Sequence, residues 1–314
     1  MNTVEVQPEG RPAPVIRPRR SVLYMPGSNA RALEKARDLP VDALILDLED
    51  AVAPESKDLA RRQVAEAVRA GGYGGREVVI RVNGPDTPWH EADLAVAADA
   101  GPDAILIPKV SDPETLRATD EHLATSDAPE RIRIWAMIET PLAILSVEAI
   151  ARAARDPTSR LSCFVMGTND LAKETRARIT PGRAALLPWL QTALAAARAH
   201  GLDIVDGVYN ALGNETGFRA ECEQGRDLGF DGKTLIHPNQ VAVANAVFAP
   251  DAEEVARASA VIEAFHRPEN ADKGAITLDG RMVERLHAEM AERTVALAEA
   301  IRALSSRDAP PPAA

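Results

Sequence analysis

Eight short apolar runs, each followed by a helical pattern, constrain this chain more than any other feature. The runs are Ser21–Met25, Ala43–Leu48, Glu77–Val82, Ala104–Ile107, Ile132–Ile138, Ser162–Met166, Leu202–Val205 and Lys233–Ile236. Several are continuous rather than alternating, as strands buried on both faces are. Helical patterns fall at about 29–38, 55–70, 89–100, 113–124, 141–154, 184–200, 215–228 and 238–247. Eight strand–helix units predict a (β/α)₈ TIM barrel, and the 227 residues from Ser21 to Val247 are a usual size for it. A doubly wound sheet is the alternative, but no G-x-G-x-x-G follows the first run, so its dinucleotide-binding version has no support. Two further helical patterns, Glu253–His266 and Arg281–Leu304, flank a loop, Arg267–Gly280. The expected organisation is a disordered arm 1–18, a barrel 19–249, a carboxy-terminal helical extension 250–304 and a disordered tail 305–314.

Composition narrows the function. The 314 residues carry a net charge of −11 and only 4% aromatic residues, which argues against nucleic-acid binding by a basic face or by base stacking. No run approaches the ~20 apolar residues of a membrane span. Two cysteines, Cys163 and Cys222, are too few for a disulfide framework, and the start lacks a signal-peptide apolar core. A cytoplasmic protein, binding neither nucleic acid nor membrane, is expected.

In such a barrel the chemistry sits at the carboxy-terminal ends of the strands. Those ends read Pro26-Gly27-Ser28, Asp47/Glu49/Asp50, Arg81/Asn83, Pro108-Lys109, Glu139-Thr140-Pro141, Gly167-Thr168-Asn169-Asp170, Asp206/Tyr209 and His237-Pro238. Polar residues at nearly every strand end of an otherwise apolar sheet predict an enzyme pocket. Glu139 and Asp170, on neighbouring strands, suit Mg²⁺, a hard cation that takes few carboxylates and keeps waters; Mn²⁺ is its alternative. Equally, Asp170 could cap a short helix Leu171–Thr175, and Glu139 could pair with a loop arginine. Arg81 could hold a carboxylate, a phosphate or an enolate oxygen, or pair with Asp47 or Glu49, which point the same way along their strand. Lys109 and Lys233 raise Schiff-base chemistry, against which a plain anion contact is the blander role. His237 reads as a structural histidine or a base, and Cys163 as core.

Seven segments then occur in a familiar order: Arg20-Ser21-Val22-Leu23-Tyr24-Met25-Pro26-Gly27-Ser28, Leu46-Asp47-Leu48-Glu49-Asp50-Ala51-Val52, Ile80-Arg81-Val82-Asn83, Pro108-Lys109-Val110, Ile138-Glu139-Thr140-Pro141, Gly167-Thr168-Asn169-Asp170-Leu171 and Gly229-Phe230-Asp231-Gly232-Lys233-Thr234-Leu235-Ile236-His237-Pro238. Over residues 19–301 the chain resembles the citrate lyase β-subunit-like CoA ester lyases of the HpcH/HpaI aldolase family, malyl-CoA and citramalyl-CoA lyases among them. The resemblance implies a TIM barrel whose extra carboxy-terminal helices lie against a neighbouring subunit, in a homotrimer or dimer of trimers. It implies Mg²⁺ on Glu139 and Asp170, and substrate contacts from Arg81, with Glu139, Gly167, Thr168 and Asn169 beside it. It implies CoA bound around Arg20, Pro26, Gly27 and Lys35, and a catalytic carboxylate from a neighbouring subunit. That carboxylate is Glu284, in Gly280-Arg281-Met282-Val283-Glu284, where the family usually has Asp. Read from their spacing, Asp47 and Glu49 are expected at the catalytic site with Arg81, reaching metal-bound waters or balancing its charge. The expected activity is Mg-dependent carbon–carbon cleavage of a β-hydroxyacyl-CoA such as malyl-CoA, citramalyl-CoA or citryl-CoA, giving acetyl-CoA and a 2-oxo acid. Hydrolysis of (3S)-malyl-CoA, or action as a citrate lyase β subunit with an acyl-carrier partner, are the alternatives.

Overall fold

Strand β1 (Ser21–Pro26) shows the rule that builds the barrel. Val22 points into an inner apolar cluster and Leu23 into an outer one, because side chains alternate across a sheet. The same alternation runs through β2 (Ala43–Asp47), β3 (Glu77–Arg81), β4 (Ala104–Ile107), β5 (Arg133–Ile138), β6 (Leu161–Met166), β7 (Asp203–Asp206) and β8 (Gly232–Leu235). All pair in parallel in sequence order and β8 closes on β1, so the sheet is a closed barrel without edges. Val22, Ile45, Val79, Leu106, Trp135, Met137 and Val165 fill it.

The structure is a computed structural model and describes residues 16–307. The expected arm and tail lie outside the described residues, apart from 16–18 and 305–307; the latter belong to the last helix, where a disordered tail was expected. Helices α1 (Ala30–Lys35), α2 (Lys57–Ala70), α3 (His90–Ala100), α4 (Pro113–Thr125), α5 (Pro141–Arg152), α6 (Thr168–Thr175), α7 (Leu187–Ala199), α8 (Glu215–Leu228) and α9 (Val241–Val247) follow the strands. Asn29, Asp112, Thr140 and Asn214 start four of them by accepting a backbone N–H from the first turn. Single 3₁₀ turns at 36–38, 54–56, 153–155 and 238–240 account for the longer spans expected for α1, α2, α5 and α9.

The chain divides into two compact units, 19–249 and 250–303. In the second, α10 (Ala252–His266) starts with a reciprocal capping box between Asp251 and Glu254. The segment expected as loop and helix then forms a hairpin of β9 (Ala275–Leu278) and β10 (Arg281–Glu284), before α11 (Arg285–Arg307). Asp279 and Gly280 join the strands with φ of 48° and 75°, the two left-handed residues of a type I′ turn. Asp-Gly between apolar stretches is the local signal for that turn, and it overrides the helical spacing of Met282, Val283 and Leu286. Ala258, Val261, Ala264, Phe265, Ile276 and Ala291 make this unit's core.

Candidate active site

Register brings the central pair together. Asp47 and Arg81 end adjacent strands as direct partners, and both point inward. Arg81 Nε and Nη2 donate to the two Asp47 oxygens at 2.7 Å each, a bidentate fork. Asp47 also accepts the N–H groups of Glu49 and Ala51 at 2.9 and 3.1 Å, so its oxygens are fully engaged. Burial alone would raise the Asp47 pKa, but Arg81 and those N–H groups outweigh it and hold the carboxyl below its ordinary range. Asp47 is therefore a clamp and not a base. The Tyr24 ring lies 4.8 Å beneath the guanidinium. Arg81 Nη1 is the arm left over; it faces Glu49, Asp50 and the Met137 sulfur.

Glu49 differs from Asp47 although the two carboxylates share one arginine. Its Oε2 lies 2.8 Å from Arg81 Nη1 yet accepts no hydrogen bond, being off the N–H direction. Burial, with the charges of Asp50, Glu139 and Asp47, outweighs Arg81 and raises Glu49 to about 8. A buried carboxyl near neutrality with an unbonded oxygen is suited to proton transfer.

Asp47 and Arg81 line a cavity of about 310 Å³ together with Tyr24, Asp50, Met137, Gly167, Thr168, Asn169, Asp170 and Thr234. Behind its wall Glu139 is buried, and its Oε1 accepts the Lys109 N–H at 2.7 Å. Lys109 adopts φ 55° to aim that N–H, a conformation a residue with a Cβ seldom takes. Gly167 makes room for the carboxylate: a Cβ there would lie 2.3 Å from Glu139 Cβ and 2.5 Å from Oε2. Asp170 lies in the first turn of α6, whose N-cap is Gly167, so the capping role considered for Asp170 is not its use. Burial and then the Asp170 charge push Glu139 up to about 7. Two carboxylates that repel each other, Asp170 lining the cavity and Glu139 buried behind its wall, fit a bound cation. Among the described residues no group of three or more His, Cys, Asp or Glu converges on one point. An ion here would have two protein carboxylates and take its other oxygens from water or substrate, as Mg²⁺ does.

Several expected residues are placed elsewhere. Arg20 precedes β1 at the amino-terminal end of the barrel, opposite the mouth, and its fork is held by Asp42 at 2.8 Å through both oxygens. The expectation of CoA binding at Arg20 does not fit that position. Gly27 serves packing, since a Cβ would lie 2.6 Å from the Asp47 carbonyl and 2.8 Å from Val64; Pro26 ends β1 and pairs with Asp47. Lys35 is exposed in the last turn of α1. Glu284 ends β10 in the second unit, half-buried, its N–H donating to His287 Nδ1 at 3.0 Å. His237 caps its own turn by accepting the Asn239 N–H. Lys233 and Asp206 face the outer layer, where Lys233 binds Asp206 and Glu221 at 2.9 and 2.8 Å and Arg183 binds Asp206. Asp206 is thus not a mouth residue, because the alternation that turns Val205 inward turns it outward. Burial would lower the Lys109 pKa, but Glu49, Glu139 and Asp170 raise it, which disfavours a free amine for Schiff-base chemistry.

Sequence reasoning passed over Lys57. Its ammonium is buried at the start of α2, and its Nζ donates to Leu48 O, Glu49 O and Asn83 Oδ1. Three acceptors on one nitrogen match the three hydrogens of the ammonium, although burial outweighs the nearby Asp47 and Asp93 charges and lowers its pKa. A lysine opening a helix carries no local mark of this role.

The HpcH/HpaI aldolase/citrate lyase family model matches residues 20–238. A (3S)-malyl-CoA thioesterase of Cereibacter sphaeroides is 52% identical over 286 residues, covering 91% of this chain and 96% of the relative. The citrate lyase subunit beta of Leuconostoc mesenteroides subsp. cremoris is 34% identical over 288 residues, 90% of this chain and 94% of the relative. A structure of the citrate lyase beta subunit from M. tuberculosis, complexed with oxaloacetate and magnesium, superposes with a TM-score of 0.62 at 25% identity, covering 74% of this chain and 98% of that one.

Proposed function

The chain belongs to the HpcH/HpaI aldolase/citrate lyase family, and from that premise we propose that it hydrolyses the thioester of (3S)-malyl-CoA or a close β-hydroxyacyl-CoA. The observation that carries hydrolysis over carbon–carbon cleavage is the 52% identity to (3S)-malyl-CoA thioesterase across nearly the whole chain. This reverses the order of the two readings drawn from the sequence alone.

The barrel's own residues support the chemistry. Arg81 lines the cavity, and its Nη1, the arm that the Asp47 clamp leaves over, stabilises the oxyanion formed when water adds to the thioester carbonyl. One well-placed donor of this kind contributes about 3–4 kcal/mol. Glu49 takes the proton from the attacking water. The carbon–sulfur bond then breaks, and the same proton passes to the leaving CoA thiolate, giving free CoA and the hydroxy acid. Glu139 and Asp170 would hold Mg²⁺, whose bound form supplies Lewis-acid polarisation and a template for substrate oxygens; the oxaloacetate and magnesium in the M. tuberculosis relative support that assignment.

Carbon–carbon cleavage is the second reading, favoured by the citrate lyase β relatives and by Glu284 as an acid/base for the acyl-CoA enolate. There the exposed Met282, Leu286 and Met290 of the second unit would be covered in a homotrimer, with Glu284 donated in trans. Mixing inactive Glu284→Gln with inactive Asp170→Asn should then restore activity through hybrid sites. One assay separates the readings. Purified protein with malyl-CoA, with Mg²⁺ and after exhaustive chelation, should release free CoA thiol and malate only when metal is present. Release of acetyl-CoA and a 2-oxo acid would establish the lyase instead, and full activity in chelator would remove the metal from either.

A further inference from the structure

The segment Leu48–Val52 carries Glu49 across the top of the barrel, and two charged residues hold it from opposite sides. Asp47 binds its N–H groups, at Glu49 and Ala51. Lys57 binds its carbonyls, Leu48 O and Glu49 O, at 2.7 Å each, and reaches Asn83 Oδ1 at 2.6 Å. Asn83 completes the ring by donating to Leu48 O at 3.0 Å, and is itself fixed by buried Asp93, which accepts the Asn83 N–H at 3.0 Å. The exits of β2 and β3, which carry Glu49 and Arg81, are thereby joined through one ammonium. The Trp89 ring covers it at 5.2 Å.

Helix formation does not explain a lysine here. Lys57 is the first residue of α2, where the helix dipole disfavours a cation. Burying an ammonium is costly unless every hydrogen is matched, and here three hydrogens meet three oxygens. We propose that Lys57 is a positioning residue that fixes Glu49 against Arg81. This rests on the role given to Glu49 above.

The test has an arm that needs no substrate. Lys57→Met keeps the stem and removes the ammonium. Amide hydrogen exchange at Glu49, Ala51 and Val52 should speed up about tenfold or more, as expected for a segment freed to open locally. In malyl-CoA hydrolysis kcat should fall about 10- to 100-fold with KM within about threefold, because remote misplacement acts on the chemical step. Lys57→Arg should not rescue, since a planar fork cannot aim at three converging acceptors. Combined with Glu49→Gln, Lys57→Met should cost less than the product of the two single losses; independent sites would multiply. Should Lys57→Met fail to fold, Asn83→Ala removes one acceptor and one Leu48 bond and should move the same readouts in the same direction. Unchanged exchange, or fully multiplicative losses, would overturn the inference. A parent protein that leaves malyl-CoA intact would overturn the hydrolysis reading, while the exchange arm still decides the clamp.

Discussion

The barrel and the carboxy-terminal unit solve the burial of their residues differently. In the barrel, the buried cations are each matched by fixed acceptors: Arg81 by both Asp47 oxygens, Lys57 by three oxygens, and Arg19 by Glu77 over the Trp135 ring. In the second unit the core is six residues, three of them alanine, while Met282 and Met290 are 72% and 63% exposed. The barrel is over-determined, so small changes there should be felt in chemistry. The second unit is lightly packed and leaves Met282, Leu286 and Met290 exposed.

The sharpest way to break this contrast is at Arg81. Arg81→Lys keeps the charge but cannot serve both Asp47 oxygens. A loss of about 100-fold or more in kcat/KM is expected from malyl-CoA kinetics. A loss under about tenfold, some 1.4 kcal/mol, would mean that the barrel mouth tolerates looseness after all.

Glycine-to-alanine substitutions compare the units directly. Gly167→Ala must displace Glu139, so divalent-ion affinity measured by titration calorimetry should fall about tenfold or more. Gly280→Ala meets nothing within 4 Å and bears only the strain of φ 75°, so it should cost about 1 kcal/mol in thermal unfolding with ion affinity unchanged. Equal effects would erase the distinction.

Between these two effects lies the pH dependence. Glu49 and Glu139 have folded pKa values raised by burial to about 8 and about 7, above those of the unfolded chain. The native state therefore binds more protons than the unfolded state between about 4.5 and 8, and stability falls as pH rises through that window. Without divalent ions the melting temperature should decline from about pH 5 to 8, and Glu49→Gln should flatten part of that slope. A slope unchanged in Glu49→Gln would place its source outside the barrel mouth.

Much of this was legible before any coordinates. Strand spacing gave the barrel, and the polar strand ends marked Asp47, Arg81, Glu139 and Asp170 as neighbours of one mouth. The hairpin was written in Asp279-Gly280, but the helical spacing that runs through Met282 and Leu286 concealed it.

The sequence by itself determined the order of strands and helices and the end of the barrel at which charge collects, because side-chain alternation and turn chemistry act over a few residues. Only the tertiary structure decided which carboxylate is saturated and which keeps an oxygen without a hydrogen bond. Asp47 and Glu49 stand two residues apart and look alike in the chain, yet one accepts four hydrogen bonds and the other keeps an unbonded oxygen. It also decided that Arg20 belongs to Asp42, that Asp206 and Lys233 face the outer layer, and that Lys57 clamps a segment eight and nine residues before it. Hydrogen-bond geometry depends on where distant segments meet, and no local pattern records where a strand's neighbour will place its atoms.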